Sequence, residues 1–426
     1  MKKITLLSLT VILFAGCNSG NINEADSLKN FSEIDSLLQR KEFFAARDLY
    51  TAKNSQLTTF HHLKAGAELD NVFNRLKASD EKIDSLFNNY PDKLSDKDKY
   101  HLLRTRQMNH SKLFEYQKAY DAIQQMTTRY KQQMTADDLD DYQNTQKIWA
   151  ALAKQPAQVI TIKDKTTLPI KRDRLGLQNL QVTLDTLSAD FIFDTGANFS
   201  TVTETTAKKL NMRLMDTTTI EVGSITSLKV KSRIGVCPEF YLGNIRVQNA
   251  VFLVFPDEAL AIPQANFQIN GIIGFPVIEA MKEIQLTKRG EFIVPGQRSS
   301  YAEQNLAIDF LNPVIYLDGE NYTFDSGGNS TTLYESYFDK HKKDIEPAYK
   351  ETDLTIGGAG GNLTKKGYFV TFRTKVNNQS VVLDSVQLFK EKIRDKSFFS
   401  GNIGQDLIKK FDRVTINFES MFIRFD

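Results

Sequence analysis

The segment FIFDTGA at residues 191–197 recurs as YTFDSGG at residues 322–328. In each copy a run of apolar and β-prone residues leads to Asp, then to Thr or Ser, and then to Gly. Such a run predicts a β-strand, and glycine permits a sharp bend of the backbone directly after it. We therefore expect each strand to present one carboxylate, Asp194 or Asp325, at a tight turn.

The surroundings of the two segments recur as well. A hairpin-like segment precedes each copy, and the second hairpin contains an Asp-Gly turn signal at residues 318–319. A short motif ending in Ile-Gly follows each copy, and its glycines are Gly274 and Gly404. The separation between aspartate and glycine is the same in the two copies to within one position. This matched spacing indicates an internal duplication.

The paired motifs resemble the aspartic proteases, specifically the retropepsin-like group, over residues 157–426. Viral members of this family build one active site from two identical subunits, and pepsin-like members build it from two lobes of one chain. The resemblance implies an all-β bilobal acid-protease fold of two retropepsin-like lobes. Lobe 1 is expected at residues 157–292 and lobe 2 at residues 305–426, with one active site per chain.

By the same resemblance, the chain is an aspartic endopeptidase with Asp194 and Asp325 as its catalytic pair. Two carboxylates about 3 Å apart cannot both ionise easily, so they share one proton. The ionised member would activate a water, and the protonated member would polarise the carbonyl of the peptide bond. This chemistry uses no metal and no cofactor. Which aspartate holds the proton stays open at this point.

Four residues beside the aspartates are expected to support the active-site loops: Thr195, Gly196, Ser326 and Gly327. The resemblance implies that the two hydroxyl groups hydrogen-bond across the lobe interface. Family members often carry Ser or Thr three residues after the aspartate, where this chain has Ala197 and Gly328. Fewer hydrogen bonds would stabilise the ionised carboxylates less. We therefore expect a mildly acidic pH optimum.

Two hairpins are predicted to form flaps over the site and to contact an extended peptide. Their residues are Gly223 and Ser224 in lobe 1 and Gly357, Gly358 and Gly360 in lobe 2. A closing hairpin excludes water from a bound substrate. A glycine-rich loop can instead cradle a phosphate, but such loops lead into a helix and usually continue with Lys and Ser or Thr. Strand-like residues follow the loop here.

Residues 30–153 have a different character, with apolar residues at helical spacing. The segments at residues 43–50 and 114–121 resemble each other and contain Ala46 and Ala119, respectively. The separation of these two alanines is close to two periods of a helix-hairpin repeat such as the tetratricopeptide type. We expect a helical domain of five to seven antiparallel helices. It would either bind a protein partner or serve as a packing and spacer domain.

The N-terminus predicts a signal peptide at residues 1–16, with a basic start, an apolar run and small residues. Its ending resembles a bacterial lipoprotein signal. This implies lipidation of Cys17, a tether at residues 17–29, and anchoring in the outer membrane of a Gram-negative bacterium, facing the periplasm. The alternative is an ordinary signal peptide followed by an incidental cysteine.

Composition narrows the remaining classes of function. Removing residues 1–16 takes away two lysines and leaves 52 basic and 52 acidic residues, a balance that argues against a nucleic-acid partner. Metal-ligand spacings are not evident, and Cys237 is expected to be a buried structural residue. Two other functions remain open: an inactive peptide-binding lipoprotein on a protease scaffold, and a scaffold that binds partners through its helical domain.

Overall fold

The computed structural model describes residues 22–215, 219–223, 229–262, 266–358, 361–377, 379–393 and 398–426. A helical region precedes a largely β region that contains a barrel. The helical region has seven α-helices: α1 (Glu24–Gln39), α2 (Phe43–Lys53), α3 (Thr59–Val72), α4 (Leu76–Asn89), α5 (Asp96–Lys112), α6 (Tyr116–Arg129) and α7 (Ala136–Leu152). None of the described helices is long and apolar enough to cross a membrane.

The helices form hairpins with similar turns. The linkers α1–α2, α3–α4 and α5–α6 each contain a residue with positive φ, at Lys41, Asn74 and Phe114. These turns let α1 and α2, α3 and α4, and α5 and α6 pack as neighbours. Ala46 and Ala119 are both fully buried, as expected for small residues at helix contacts. The tetratricopeptide likeness stays a prediction.

The first helix begins earlier than the sequence analysis proposed. It starts at Glu24, inside the segment that was expected to be a tether. Asn23 explains this start, because its side chain accepts a hydrogen bond from the backbone N–H of Ala25 at 2.9 Å. Asn is among the preferred residues at this capping position, a signal that the sequence analysis overlooked.

The first half of the β region forms a ten-stranded sheet. Its strands are β1 (Val159–Thr161), β3 (Lys171–Arg172), β4 (Gln178–Leu184), β5 (Leu187–Phe193), β6 (Ser200–Thr203), β7 (Arg213–Leu214), β8 (Ile220–Gly223), β9 (Lys229–Leu242), β10 (Ile245–Phe255) and β13 (Gly271–Ile273). A separate two-stranded sheet contains β11 (Ala261–Ile262) and β12 (Phe267–Gln268). Two short helices belong to this half: α8 (Glu204–Lys209) and α9 (Phe275–Ala280).

The second half forms an eight-stranded sheet. Its strands are β16 (Leu306–Asp309), β17 (Asn312–Leu317), β18 (Glu320–Phe324), β19 (Thr332–Leu333), β20 (Thr352–Gly358), β21 (Gly361–Val376), β22 (Gln379–Phe389) and β23 (Gly401–Ile403). Helices α10 (Glu335–Ala348) and α11 (Gln405–Ile408) accompany it. Asp318 and Gly319 both have positive φ, the geometry that the Asp-Gly turn signal predicted.

A five-stranded sheet joins the two halves. It contains β2 (Thr166–Pro169), β14 (Glu283–Thr287), β15 (Glu291–Val294), β24 (Arg413–Asn417) and β25 (Phe422–Phe425), in the order β2-β15-β14-β24-β25. At its centre β14 pairs antiparallel with β24, so that Ile284 lies opposite Ile416. Both side chains are fully buried, and strands β24 and β25 of the second half therefore belong to a core shared with the first half.

The duplication reappears in the strand topology. In the first half, β13 pairs parallel with β5 and antiparallel with β6. In the second half, β23 pairs parallel with β18 and antiparallel with β19. Each half thus inserts a late strand beside the strand that ends at its aspartate.

The helical region packs directly on the β region. Asn74 Nδ2 donates hydrogen bonds to Glu279 Oε1 and to the backbone carbonyl of Phe418, both at 2.8 Å. At the other end, the ring of Trp149 on α7 lies 6.1 Å from that of Phe199. Aromatic contacts of this kind add to the free energy of burial, so these elements share a packed interface.

Candidate active site

Both aspartates lie directly after a strand, at corresponding points of the two halves. The backbone N–H of Asp194, after β5, donates to the carbonyl of Ile273 on β13 at 3.0 Å. The backbone N–H of Asp325, after β18, donates to the carbonyl of Ile403 on β23 at 2.9 Å. The parallel pairing of β5 with β13 and of β18 with β23 therefore fixes where each turn begins.

The Ile-Gly motifs are explained by a close approach of the backbone. A Cβ atom on Gly274 would lie 2.5 Å from the backbone carbon of Phe199, and one on Gly404 would lie 2.6 Å from that of Ser330. Such distances exclude any side chain without a shift of the backbone. Each active-site loop therefore rests directly on the glycine of the Ile-Gly motif in its own half.

Thr195 and Ser326 tie the two loops together through four hydrogen bonds. The N–H of Thr195 donates to Ser326 Oγ at 3.1 Å, and the N–H of Ser326 donates to Thr195 Oγ1 at 2.9 Å. The hydroxyl of Thr195 donates to the carbonyl of Phe324, and that of Ser326 to the carbonyl of Phe193, both at 3.1 Å. Both side chains are fully buried, so the link is shielded from water.

This link brings the two carboxyl groups together. Asp194 and Asp325 face each other, close enough for a hydrogen bond between their side chains to raise the pKa of Asp194. Each also approaches the glycine of the opposite loop. A Cβ atom on Gly196 would lie 2.8 Å from Asp325 Cγ, and one on Gly327 would lie 2.3 Å from Asp194 Cγ. These two glycines are required because the opposite carboxyl group fills the space of a side chain.

The carboxyl pair has the electrostatics of a shared proton. Burial raises the pKa of Asp194 well above its usual range, and the neighbouring charge of Asp325 and the hydrogen bond between the two groups raise it further. The backbone N–H groups of Gly196 and Ala197 lower this pKa without cancelling the increase. One proton therefore stays on the pair at pH values where an isolated aspartate is ionised.

Asn402 is a polar residue of the site that the sequence analysis missed. Its side-chain amide donates a hydrogen bond to Asp325 Oδ2 at 3.0 Å. The N–H groups of Gly327 and Gly328 donate to Asp325 Oδ1 at 2.8 and 3.0 Å. Asp325 thus accepts a side-chain hydrogen bond that the sequence analysis did not expect. The available signal was Asn402 itself, which stands where the first motif has Ile272.

The two predicted flap hairpins are formed, and parts of their tips lie outside the described residues. In the first hairpin, Gly223 ends β8 and pairs with Lys229 on β9, while Ser224 is outside the described part of the chain. In the second, Gly357 and Gly358 end β20 and pair with β21, while Gly360 is likewise outside. The contact of these residues with a substrate stays a prediction.

Cys237 does not contribute to this site. It is buried, and burial raises the pKa of its thiol to about 12, which disfavours the nucleophilic thiolate. This agrees with a structural role. Cys17, the predicted lipidation site, lies outside the described residues, so its role stays a prediction.

Comparison with known proteins supports the family resemblance. Residues 180–277 match the family model described as aspartyl protease. Three solved structures are similar. One is a retropepsin-like aspartic protease from Rickettsia conorii, with a TM-score of 0.21 and 17% identity over 32% of this chain and 91% of that chain. The second is conglutin gamma from lupine seeds, with a TM-score of 0.38 and 10% identity over 61% of this chain and 94% of that chain. The third is basic 7S globulin from soybean, with a TM-score of 0.36 and 11% identity over 62% of this chain and 94% of that chain. Comparison with curated protein sequences gives no match. The segment at residues 180–277, which carries Asp194 and the first Ile-Gly motif, is thus similar to the aspartyl protease family, in agreement with the resemblance that the sequence indicated.

Proposed function

We propose that this chain is an aspartic endopeptidase in which two lobes of one chain each supply one catalytic carboxylate, Asp194 or Asp325. The observation that carries the proposal is the pair of loops linked through Thr195 and Ser326, which holds each of the two carboxyl groups against the glycine of the opposite loop. A structural role alone gives no reason to bury two acids against each other, since like charges at this distance destabilise the fold.

The chemistry follows from one proton on two carboxyl groups. The ionised aspartate accepts a proton from a water molecule, and the water oxygen forms a bond to the carbon of the scissile carbonyl. The protonated aspartate donates its proton to the carbonyl oxygen. In the second step the aspartate that took the proton from water gives it to the nitrogen, and the C–N bond breaks. A hydroxyl group of the tetrahedral intermediate returns its proton to the other aspartate as the carbonyl re-forms, so the pair regains its single shared proton.

The substrate proposed is an extended peptide between the two flap hairpins. The strand ends at Gly223 and at Gly358 provide backbone groups beside which a peptide can align in a strand-like conformation. We expect a mildly acidic pH optimum, because Asp194 keeps its proton above the usual range. A pH–rate profile that peaks near pH 2 would contradict this.

The contacts of the helical region support a packing role. Lys41 forms an ion pair with Asp309 at 2.5 Å, and Asn74 binds the carbonyl of Phe418. These groups are engaged within the chain. We therefore favour a domain that braces the β region over one that captures an external partner. The lipid anchor at Cys17 and the location in the outer membrane, facing the periplasm, are kept as sequence-based proposals.

The first experiment is cleavage of denatured casein from pH 3 to 8. Wild type is compared with Asp325→Asn, and with Asp318→Asn as matched control. Asp318 lies in the hairpin before Asp325 with φ 49°, a conformation that Asn also accepts. We expect cleavage by wild type and the control and none by Asp325→Asn. A peptide containing statine, which mimics the tetrahedral intermediate, should inhibit wild type.

Other outcomes have definite meanings. Binding of the statine peptide without cleavage of casein or of a peptide library would support a peptide-binding protein on a protease scaffold. Neither binding nor cleavage would contradict the proposal. Mixing Asp194→Asn with Asp325→Asn tests for one active site per chain. Recovered activity would show that sites form between chains.

A further inference from the structure

Asn402 holds the Oδ2 atom of Asp325 in a fixed orientation. Its Nδ2 donates to Asp325 Oδ2 at 3.0 Å, while its Oδ1 accepts a hydrogen bond from Thr323 Oγ1 at 2.6 Å. The Thr323 hydroxyl also lies 3.3 Å from the carbonyl of Gly401, the longer of its two contacts. A reversed amide would place two oxygens against each other at Asp325. The Thr323 hydroxyl therefore keeps the donor end of Asn402 on the carboxylate.

The first half of the β region lacks this arrangement at the same position. Thr323 on β18 lies opposite Asn402 on β23. In the first half, Ile192 on β5 lies opposite Ile272 on β13. An isoleucine side chain has no hydrogen-bond donor. The duplication thus places a polar pair beside Asp325 and an apolar pair beside Asp194.

The two carboxyl groups consequently differ in their donors. Asp325 accepts two backbone N–H groups on Oδ1 and the amide of Asn402 on Oδ2. Asp194 Oδ1 accepts the backbone N–H of Gly196, and the backbone N–H groups of Gly196 and Ala197 lower the pKa of Asp194. Hydrogen bonds donated to a carboxylate stabilise its ionised form. The side-chain amide therefore favours the negative charge on Asp325.

We propose that Asn402 is a positioning residue that keeps the negative charge of the pair on Asp325 and leaves the shared proton on Asp194. This assignment rests on the proposed catalytic pair. It makes Asp325 the base that takes a proton from water and Asp194 the acid that gives its proton to the peptide carbonyl. Asn402 acts through Asp325 and needs no contact with the substrate.

The other charged groups around the Asp325 loop are already bound. Asp406 on α11 accepts the backbone N–H and the hydroxyl of Thr331 at 2.9 and 2.7 Å. Arg172 on β3 donates to Gln405 Oε1 at 2.8 Å. On the side of the first half, the loop faces Asp194. Because these groups already have partners, we expect removal of the Asn402 side chain to act directly on the carboxyl pair, by taking one hydrogen bond from Asp325.

The test replaces Asn402 by the residue found in the first half, Asn402→Ile. Two quantities are measured: the pH dependence of kcat/KM on a peptide substrate, and the ¹³C NMR titration of the aspartate carboxyl carbons. Loss of a hydrogen bond to a charged group should move the acidic limb and the lower carboxyl titration step upward by about one pH unit. The reciprocal change, Ile272→Asn, should instead move the alkaline limb downward, because it stabilises a charge on Asp194.

Two further variants keep the test independent of folding. Thr323→Val retains a β-branched residue and frees the amide, so it should produce a smaller shift in the same direction. Gly328→Ser, added to Asn402→Ile, should restore the acidic limb. A Cβ atom there lies 3.2 Å from Asp325 Oδ2 and 3.7 Å from Asn402 Nδ2, which brings a hydroxyl within reach of the carboxylate.

The outcomes separate this inference from the proposed function. A folded Asn402→Ile variant whose acidic limb and lower carboxyl step both stay within about 0.3 pH unit of wild type would overturn the assignment. If wild type cleaves no peptide, the endopeptidase proposal fails. The carboxyl titration then still decides whether Asn402 keeps the charge on Asp325, since it needs no turnover.

Discussion

Thr195 and Ser326 each accept a hydrogen bond from the backbone N–H of the other, at 2.9 and 3.1 Å. Each hydroxyl also donates into the opposite half of the β region. The arrangement joins segments 131 residues apart. It makes the geometry of the carboxyl pair depend on two side chains that do not take part in the proposed chemistry.

Removing one of these hydroxyl groups should destabilise the protein. Thr195→Val leaves the buried N–H of Ser326 and the carbonyl of Phe324 without their partner. An unsatisfied buried polar group costs about 1–3 kcal/mol, so we expect the free energy of unfolding to fall by about 2–4 kcal/mol. Urea denaturation measures this loss. Thr195→Ser keeps the hydroxyl and should cost much less, and equal losses for the two variants would contradict this account.

The carboxyl pair should make stability fall as the pH rises. Because the pKa of Asp194 is raised in the folded state, the folded protein binds more protons than the unfolded chain above pH 4. Stability is then fully present below the unfolded pKa and is lost as the pH rises through the folded pKa. Asp194→Asn removes this loss, so its melting temperature relative to wild type should increase from pH 4 to pH 7.

The control for this measurement is Asp190→Asn, on the strand that leads to Asp194. Asp190 is exposed and forms a surface ion pair with Lys171 at 2.8 Å, and such pairs contribute little to stability. The difference in melting temperature between Asp190→Asn and wild type should change little between pH 4 and pH 7. A constant difference for Asp194→Asn would argue against a shared proton.

Lys112 should be replaceable with a gain in stability. It lies at the interface with the β region, lining a cavity of about 30 Å³ with Trp149, Phe275 and Glu279. Its Nζ is buried and has no hydrogen-bond partner among the described residues. Burial lowers the pKa of Lys112 to about 8, although Glu279 opposes the decrease. The charged ammonium is therefore unfavourable at neutral pH.

The predicted change is Lys112→Met. The lowered pKa means that stability rises between about pH 8 and pH 10.5 as the folded state loses its proton first. The free energy of unfolding of the variant should exceed that of wild type by up to about 3 kcal/mol at pH 7, and this difference should disappear above pH 10. Thermal unfolding at both pH values measures this. Lys147→Met, an exposed position on α7, should show no such pH dependence.

Helix α7 should restrain the first flap hairpin. Asn144 Nδ2 donates to the carbonyl of Glu221 on β8 at 2.7 Å, and its Oδ1 accepts the N–H of Glu221 at 3.1 Å. Asn144→Ala removes both bonds. We expect faster amide hydrogen exchange in residues 220–223 and unchanged exchange in β20. The neighbouring variant Thr145→Ala, which loses only a bond within the helix, is the control. Unchanged exchange in Asn144→Ala would show that packing alone holds the hairpin.

The sequence by itself determined the duplication, the aspartates at strand ends and the helical N-terminal region, because these are local patterns. Alternating apolar residues, glycine and turn residues act within a few positions of the chain. The tertiary structure decided which distant residues come into contact. Asn402 reaches Asp325 across 77 residues because β23 pairs parallel with β18, and Asn144 meets Glu221 across 77 residues. Such contacts depend on how whole elements pack, which no short stretch of sequence encodes.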